Sequence, residues 1–429
     1  MTANTSVVGR ETNWAGNVTY RPDTIHQPST VEELQAIIAR HDRVRAVGKK
    51  HSFNELPDTS GALVSLANLP PVVDVDAEAA TAYVTAATSY ADLSRVIDQE
   101  GFALPTLASL PHVSVAGACA TATHGSGVHN GGLANSVNQL DLVTADGDLV
   151  TLSRDADPEQ FDGIVVHLGA LGVVVNLTLR LVPHFGVRQH VYENLPLDVL
   201  TEHFTELVSS AHSVCLFTDW CGPWLTQVWI QRKIGDPVTR VEDEPWFTAT
   251  PATAPRHPVA GFSADSCTAQ LGIAGRWFER LPHFRPEYTP SSGAELQSEY
   301  LIDRGDAPAA LHALDHIRDL IRPVLQICEF RTVAADDLWL SPAYHRDSVS
   351  IHFTWIADAQ AVLPVASLVE RALEPFQPRP HWAKVFTTPP ETVRSRYERL
   401  PDFRSLMGRF DPTGKFRNAF IDRYLGENS

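Results

Sequence analysis

Ala108-Ser109-Leu110-Pro111-His112-Val113-Ser114-Val115-Ala116-Gly117-Ala118-Cys119-Ala120-Thr121-Ala122-Thr123-His124-Gly125-Ser126-Gly127 is a long run of small residues with neither the period of a helix nor that of an ordinary strand. Small side chains let a ligand lie close to the backbone, and the Ser and Thr hydroxyls can satisfy its polar edge. A flexible linker is the competing explanation. The embedded Leu110-Pro111-His112-Val113 and the two histidines count against it, because linkers rarely contain them. The run is also not Gly-x-Gly-x-x-Gly, so a Rossmann fold lacks its main support.

Upstream of this run the chain mixes helix and strand. Thr30-Val31-Glu32-Glu33 has the form of a capping box, with Leu34, Ile37 and Ile38 following at helical spacing before the β-like run Val44 to Val47. Residues 62 to 87 predict several short strands, and Ser89 with Asp92 caps a helix that Gly101 stops. Immediately after Val47 comes Gly48-Lys49-Lys50-His51-Ser52-Phe53. A glycine there lets the backbone turn tightly and aim N–H groups at a diphosphate, and the lysines add charge. A lone loop histidine is equally at home as a surface or packing residue, so His51 by itself marks only a ligand loop.

Downstream, the apolar stretch Phe161 to Val182 is long enough to raise a membrane span. His167, Asn176, Gly169 and Gly172 interrupt it, and a short helix followed by a buried strand fits better. After Pro183 long aromatic strands appear, such as Val214 to Trp220 and Gln227 to Ile230. A Pro-rich loop, roughly Glu242 to His257, follows. Helices are expected from about Asp306 to Ile321 and from about Val362 to Leu373. Glu329-Phe330-Arg331-Thr332 and His352-Phe353-Thr354-Trp355 read as strands, on which Glu329 and Arg331 share a face, as do His352 and Thr354. A solvated sheet surface would show the same alternation.

With 429 residues, two substantial domains are the default. A hydrophobic fraction of 44% against 20% charged residues suits a chain that folds throughout. The net charge of −17, without a dense basic block, disfavours nucleic acid and anionic lipid as partners. Five cysteines, Cys119, Cys215, Cys221, Cys267 and Cys328, show no zinc-ligand spacing, so they are expected to be reduced and no metal is expected. The polar stretch Met1 to Asn17 has no apolar h-region, which favours the cytoplasm.

Taken together, the small-residue run and the Gly-x-x-His-Ser-Phe loop resemble the vanillyl-alcohol oxidase superfamily of FAD enzymes, and within it the alditol and sugar-lactone oxidases. Gly169-Ala170-Leu171-Gly172-Val173-Val174, Gln297-Ser298-Glu299-Tyr300 and His381-Trp382-Ala383-Lys384 extend the likeness. It runs from Asn13 to Phe420, departing at Lys49-Lys50, where relatives carry small residues. The resemblance implies an α+β, two-lobed fold. An FAD-binding domain (1–185) would be joined to a substrate or cap domain (186–400) with a large antiparallel sheet flanked by helices, and a C-terminal segment (401–429) would return to the first lobe.

The resemblance also implies FAD bonded through His51 and held by Ala46, Val47, Gly48, Lys49, Lys50, Ser52, Ser109, Ser114, Gly117, Ala118, Cys119, Ala120, Val174 and His381. Only Cys119 could offer the second, cysteinyl bond of some branches, and it stands where the diphosphate should pass, so a single linkage is expected. Catalysis would fall to Arg331, Lys384, Glu329 and His352, with Ser109, Glu329, Arg331 and Thr354 binding substrate. The implied reaction oxidises the terminal alcohol of alditols such as xylitol or sorbitol to the aldose, with O2 reduced to H2O2, in a monomer. Alternatives are an aldonolactone oxidase or dehydrogenase on the same fold and, more remotely, a non-catalytic flavin or carbohydrate-binding protein.

Overall fold

Thr30 opens the helix Val31–Arg40 in a computed structural model that describes residues 11–236, 245–288 and 294–427. Its hydroxyl accepts the Glu33 N–H at 3.2 Å, while the Glu33 carboxylate accepts the Ser29 N–H at 2.7 Å, one residue earlier than in the usual box. Leu34, Ile37 and Ile38 form the buried face. The chain then enters Val44–Ala46, which lies in a parallel three-stranded sheet with Ala62–Val64 at the centre and Thr24–His26 beyond. The loop carrying His51 therefore leaves the end of a strand that is fixed on one side by its neighbour.

A second, antiparallel sheet places Val73–Asp76, Thr81–Thr85, Val173–Arg180, Val137–Val143 and Leu149–Ser153 in that order. As expected, the stretch beginning at Phe161 divides into a short helix, Phe161–Ile164, and a strand, Val173–Arg180, at the centre of this sheet. Gly172, with φ +154°, lets the chain enter this strand close against the neighbouring strand Val137–Val143, because an added Cβ would lie 2.5 Å from the Val143 carbonyl oxygen. Among the described residues no helix is long and apolar enough to cross a membrane. Ser89 caps Tyr90–Gln99 by accepting the Asp92 N–H, and Gly101 follows with φ +83°. Residues 115–120, expected to be irregular, form a short helix, Val115–Ala120, which buries Val115, Ala118 and Cys119. Its small side chains carry no amphipathic period, so tertiary packing decides its conformation.

The third sheet has nine strands, all paired antiparallel. Its middle runs Trp224–Lys233, Ser213–Thr218, Leu325–Val333, Ser348–Ile356 and Glu295–Asp303. Phe330, Phe353, Trp355 and Tyr300 join Leu311, Leu314, Val362 and Val369 in one apolar core. The helices Ala307–Asp315 and Ala359–Leu373 supply the latter four. The expected helix to Ile321 breaks at Ile317 (φ −110°, ψ 10°), and the short helix Arg318–Ile321 then delivers Ile321 to the core. The other helix starts earlier than its apolar pattern suggests, because Asp358 caps it, and it runs through Pro364 in its interior. Residues 1–10 of the polar amino-terminal stretch and 242–244 of the Pro-rich loop lie outside the described residues.

A buried arginine ties these parts together. Arg45, on the strand before the His51 loop, donates to the carbonyls of Leu56, Leu168, Gly169 and Phe416 at 2.6–2.8 Å. Burial lowers its pKa to about 10, with Asp411 opposing. Arg45→Leu strands these carbonyls at a cost of about 3 kcal/mol or more. The melting temperature is expected to fall by roughly 10 °C; an unchanged melt would mean the carbonyls find other partners.

Candidate active site

The strand register puts the polar residues of the large sheet in one patch. Glu329 pairs with His352, which pairs with Glu299; Gln297 pairs with Thr354, and Arg331 with Ser350. Alternation then sends all of them to the face opposite the Phe353 core. That face floors a cleft enclosing about 1290 Å³, its mouth included. Ser109, Glu329, Arg331, His352, Thr354 and Lys384, the six residues expected in catalysis and substrate binding, all line it.

A second cavity of about 900 Å³ continues from the first, sharing Val47, Gly48, Lys49, Ser52, Ser114, Gly117 and Thr121 with it. Between them the two are lined by every residue expected to hold the cofactor except one. Lys50, His51, Ser109, Ala118 and His381 belong to the first, and Ala46, Ala120 and Val174 to the second. Cys119 is not in the lining. Its sulfur is buried 3.4 Å from the Tyr90 hydroxyl, and burial raises the thiol's pKa to about 12.

The shared stretch fits a dinucleotide. An added Cβ at Gly48 or Gly117 would meet Ser114 Oγ at 2.6 or 2.9 Å, so bare backbone forms the wall where a diphosphate must pass. The two lysines also part company. Lys50, held at φ 61°, pairs with Glu11 at 2.6 Å, whereas Lys49 borders both cavities and has no ion pair among the described residues. His51 leans on the Trp14 ring at 5.3 Å, and neither of its ring nitrogens has a hydrogen-bond partner among the described residues. Burial, then His112 and Lys49, lower its pKa to about 4, so the imidazole is neutral at neutral pH.

Charge on the cleft floor is balanced and buried. The Lys384 ammonium donates to Glu299 at 2.5 Å and lies 2.6 Å from His352 Nδ1. Arg331 donates to Ser109 Oγ at 3.2 Å and sits 3.5 Å from both Glu299 and Glu329. Burial would raise both carboxylates, but Lys384, His124 and Arg331 hold Glu299 well below its ordinary range, and Arg331 lowers Glu329 too. Burial lowers Lys384 despite Glu299, and it lowers His283 to about 4 and His381 to about 3. Cys215, His283 and Glu329 bring possible metal ligands within 4.8 Å of one another. Burial keeps Cys215 a thiol and Arg331 already neutralises Glu329, so the trio belongs to the polar floor.

Glu299, His124 and His283 were not singled out from sequence as site residues. Glu299 lies on Glu295–Asp303, where Glu295, Gln297 and Glu299 alternate with Leu296, Ser298 and Tyr300, so the same alternation that paired Glu329 with Arg331 was the signal that could have found it. His124, in the small-residue run, reaches Glu299 at 2.5 Å across 175 positions.

Comparison with known proteins agrees with this geometry. Residues 22–153 match the family described as FAD binding domain, and residues 294–424 that described as D-arabinono-1,4-lactone oxidase. The chain is 52% identical over 413 residues to an alditol oxidase of Streptomyces sp., covering 96% of this chain and 97% of that one. It is 28% identical over 432 residues to an L-gulono-1,4-lactone dehydrogenase of Mycobacterium tuberculosis, covering 96% and 98%. Among solved structures, a solvent-stable cholesterol oxidase gives a TM-score of 0.78 at 15% identity, covering 97% of both chains. Cholesterol oxidase from B. sterolicum gives 0.76 at 14%, covering 97% of this chain and 96% of that one. At such identities the likeness is one of fold, and it bears out the expected architecture.

Proposed function

The chain belongs to the alditol oxidase family of FAD-dependent oxidoreductases, and from that premise we propose that it oxidises the terminal alcohol of linear polyols such as xylitol and sorbitol to the aldose. O2 is the acceptor and H2O2 the second product. The observation that carries this is the convergence of two buried cations, Arg331 and Lys384, on one end of a groove whose other wall is bare backbone.

FAD would be held by Ala46 to Ser52, Ser109, Ser114, Gly117, Ala118, Ala120, Val174 and His381, with Lys49 neutralising diphosphate charge. We assign His51 as the single covalent attachment point; Cys119, turned into the core, is unsuited to a second. When bound, FAD supplies the two-electron acceptor for the carbinol hydride and passes the electrons to O2. Arg331 and Lys384 donate to the substrate O1 and favour its alkoxide-like state. Glu329 accepts from the O2 hydroxyl and orients Arg331, while Ser109 and Thr354 bracket the polyol. His352 joins the same network from the adjacent strand. The helices Leu400–Phe410 and Ala419–Leu425 share a core with residues 34–187, which supports returning the C-terminal segment to the FAD-binding domain, although Trp277, Leu281, Trp339 and Trp382 of the intervening 186–400 segment join that core too. Five free cysteines suit a reducing compartment, and we place the protein in the cytoplasm as a monomer.

Anaerobic mixing of the yellow holoenzyme with millimolar xylitol is expected to bleach the flavin band. Persistent colour would mean a binding protein without turnover. Faster bleaching by gulonolactone than by xylitol or sorbitol would transfer the assignment to the lactone oxidases.

A further inference from the structure

Glu299 is 1% exposed and its carboxylate is fully engaged. Oε1 accepts from His124 Nε2 at 2.5 Å and Ser350 Oγ at 2.6 Å; Oε2 faces Lys384 Nζ at 2.5 Å and His352 Nδ1 at 2.9 Å. With four neighbours around a carboxylate that has about four lone-pair sites, and so little exposure, no room is left for a substrate hydroxyl. Whatever Glu299 does, it does through its partners.

His352 Nδ1 lies between an ammonium, Lys384 Nζ at 2.6 Å, and a carboxylate oxygen, Glu299 Oε2 at 2.9 Å, so it either accepts from the first or donates to the second. Its Nε2 lies 3.2 Å from Thr354 Oγ1. Lys384, with three hydrogens and Glu299 taking one, has donors to spare for the cleft that it lines. On the far side, both ring nitrogens of His124 face oxygen acceptors, Glu299 and the Gly125 carbonyl.

We propose that Glu299 is a positioning residue, anchored by His124 and Ser350, that holds the Lys384 ammonium and seats the His352 ring beside it, so that Lys384 presents a hydrogen to the substrate. This rests on the polyol-oxidising role assigned above, but its structural content does not need turnover. The charged and titratable groups around Glu299 are His124 from the small-residue run, Arg331 and Glu329 from one neighbouring strand, His352 from another, and His381 with Lys384 from the segment after the sheet. Without the carboxylate, burial and Arg331 act on Lys384 with little opposition, so its proton is lost at lower pH.

Glu299→Gln is therefore expected to lower kcat with xylitol by about 10²-fold, with KM moved far less. Its alkaline limb should move to lower pH by about one unit or more. Glu299→Asp should keep the limb near its wild-type place at a reduced rate. Flavin content and melting temperature serve as folding controls. In substrate-free protein, the ¹⁵N shifts of the His352 ring should move in Glu299→Gln, where the group beside Nδ1 loses its charge, and stay near wild type in Glu299→Asp. An unchanged limb together with unchanged ring shifts in Glu299→Gln would overturn the proposal. Failure of wild type to bleach with any polyol would sink the functional assignment instead, while the ring spectra would still decide the role of Glu299.

Discussion

Lys384→Met is expected to slow anaerobic bleaching of the flavin by xylitol about 10²–10³-fold, corresponding to about 2.7–4 kcal/mol of barrier, with the apparent polyol affinity altered much less. Methionine keeps the volume and removes the charge. Glu299 would still have His124, Ser350 and His352, so the cleft floor retains most of its hydrogen bonds. Arg331→Met is a poorer probe. It leaves Glu329 with His283, 3.5 Å away, and His352 across the sheet, both lowered in pKa by burial, so a buried carboxylate loses its counter-ion. Removing one partner of a buried pair typically costs about 3–5 kcal/mol of stability, which would confound the kinetics. The pH dependence separates charge from packing. Burial lowers the Lys384 pKa, so the wild-type rate should decline as pH rises through a value below the ordinary lysine range. Lys384→Met should lack that decline, and stopped-flow traces across alkaline pH measure it. A Lys384→Met enzyme as fast as wild type would remove Lys384 from the reaction.

What the sequence made legible was mostly local. Period-2 alternation placed Glu329 with Arg331 and His352 with Thr354, because each pair lies on one strand. The pairing of those strands, which sets Glu329 beside His352, depends on register and is not written in either segment. Glu299 shows the same alternation, with Glu295 and Gln297 on its face, but which of these three meets the cations of the cleft is set by register with Ser348–Ile356. The helix Val115–Ala120 was hidden by its small side chains, although the same smallness marked the segment as a ligand wall. Lys49 and Lys50 look alike in sequence. Only the left-handed turn at Lys50 sends one to Glu11 and leaves the other on the groove.

His51→Ala is expected to abolish covalent flavin. After acid precipitation, flavin fluorescence should stay with the pellet in wild type and pass entirely to the supernatant in the variant. The Trp14 N–H donates to the Lys50 carbonyl at 2.9 Å, fixing the turn that presents His51, and the ring rests against Trp14. With no hydrogen-bond partner on either nitrogen among the described residues, and with its pKa lowered to about 4, the imidazole offers a lone pair to an electrophilic carbon across the whole neutral range. A surface histidine would lack both features: it would be solvated and would be partly protonated near pH 6.5. Loss of the bond should leave a groove that still binds FAD, because Gly48, Ser114, Gly117 and Lys49 remain, so the variant is expected to be yellow before precipitation but to lose colour on dialysis. Fluorescence retained in the His51→Ala pellet would move the linkage to another residue. Cys119 is the sequence's other candidate, but its sulfur lies against Tyr90 with a pKa raised to about 12, and it could attack only after the short helix Val115–Ala120 had unwound.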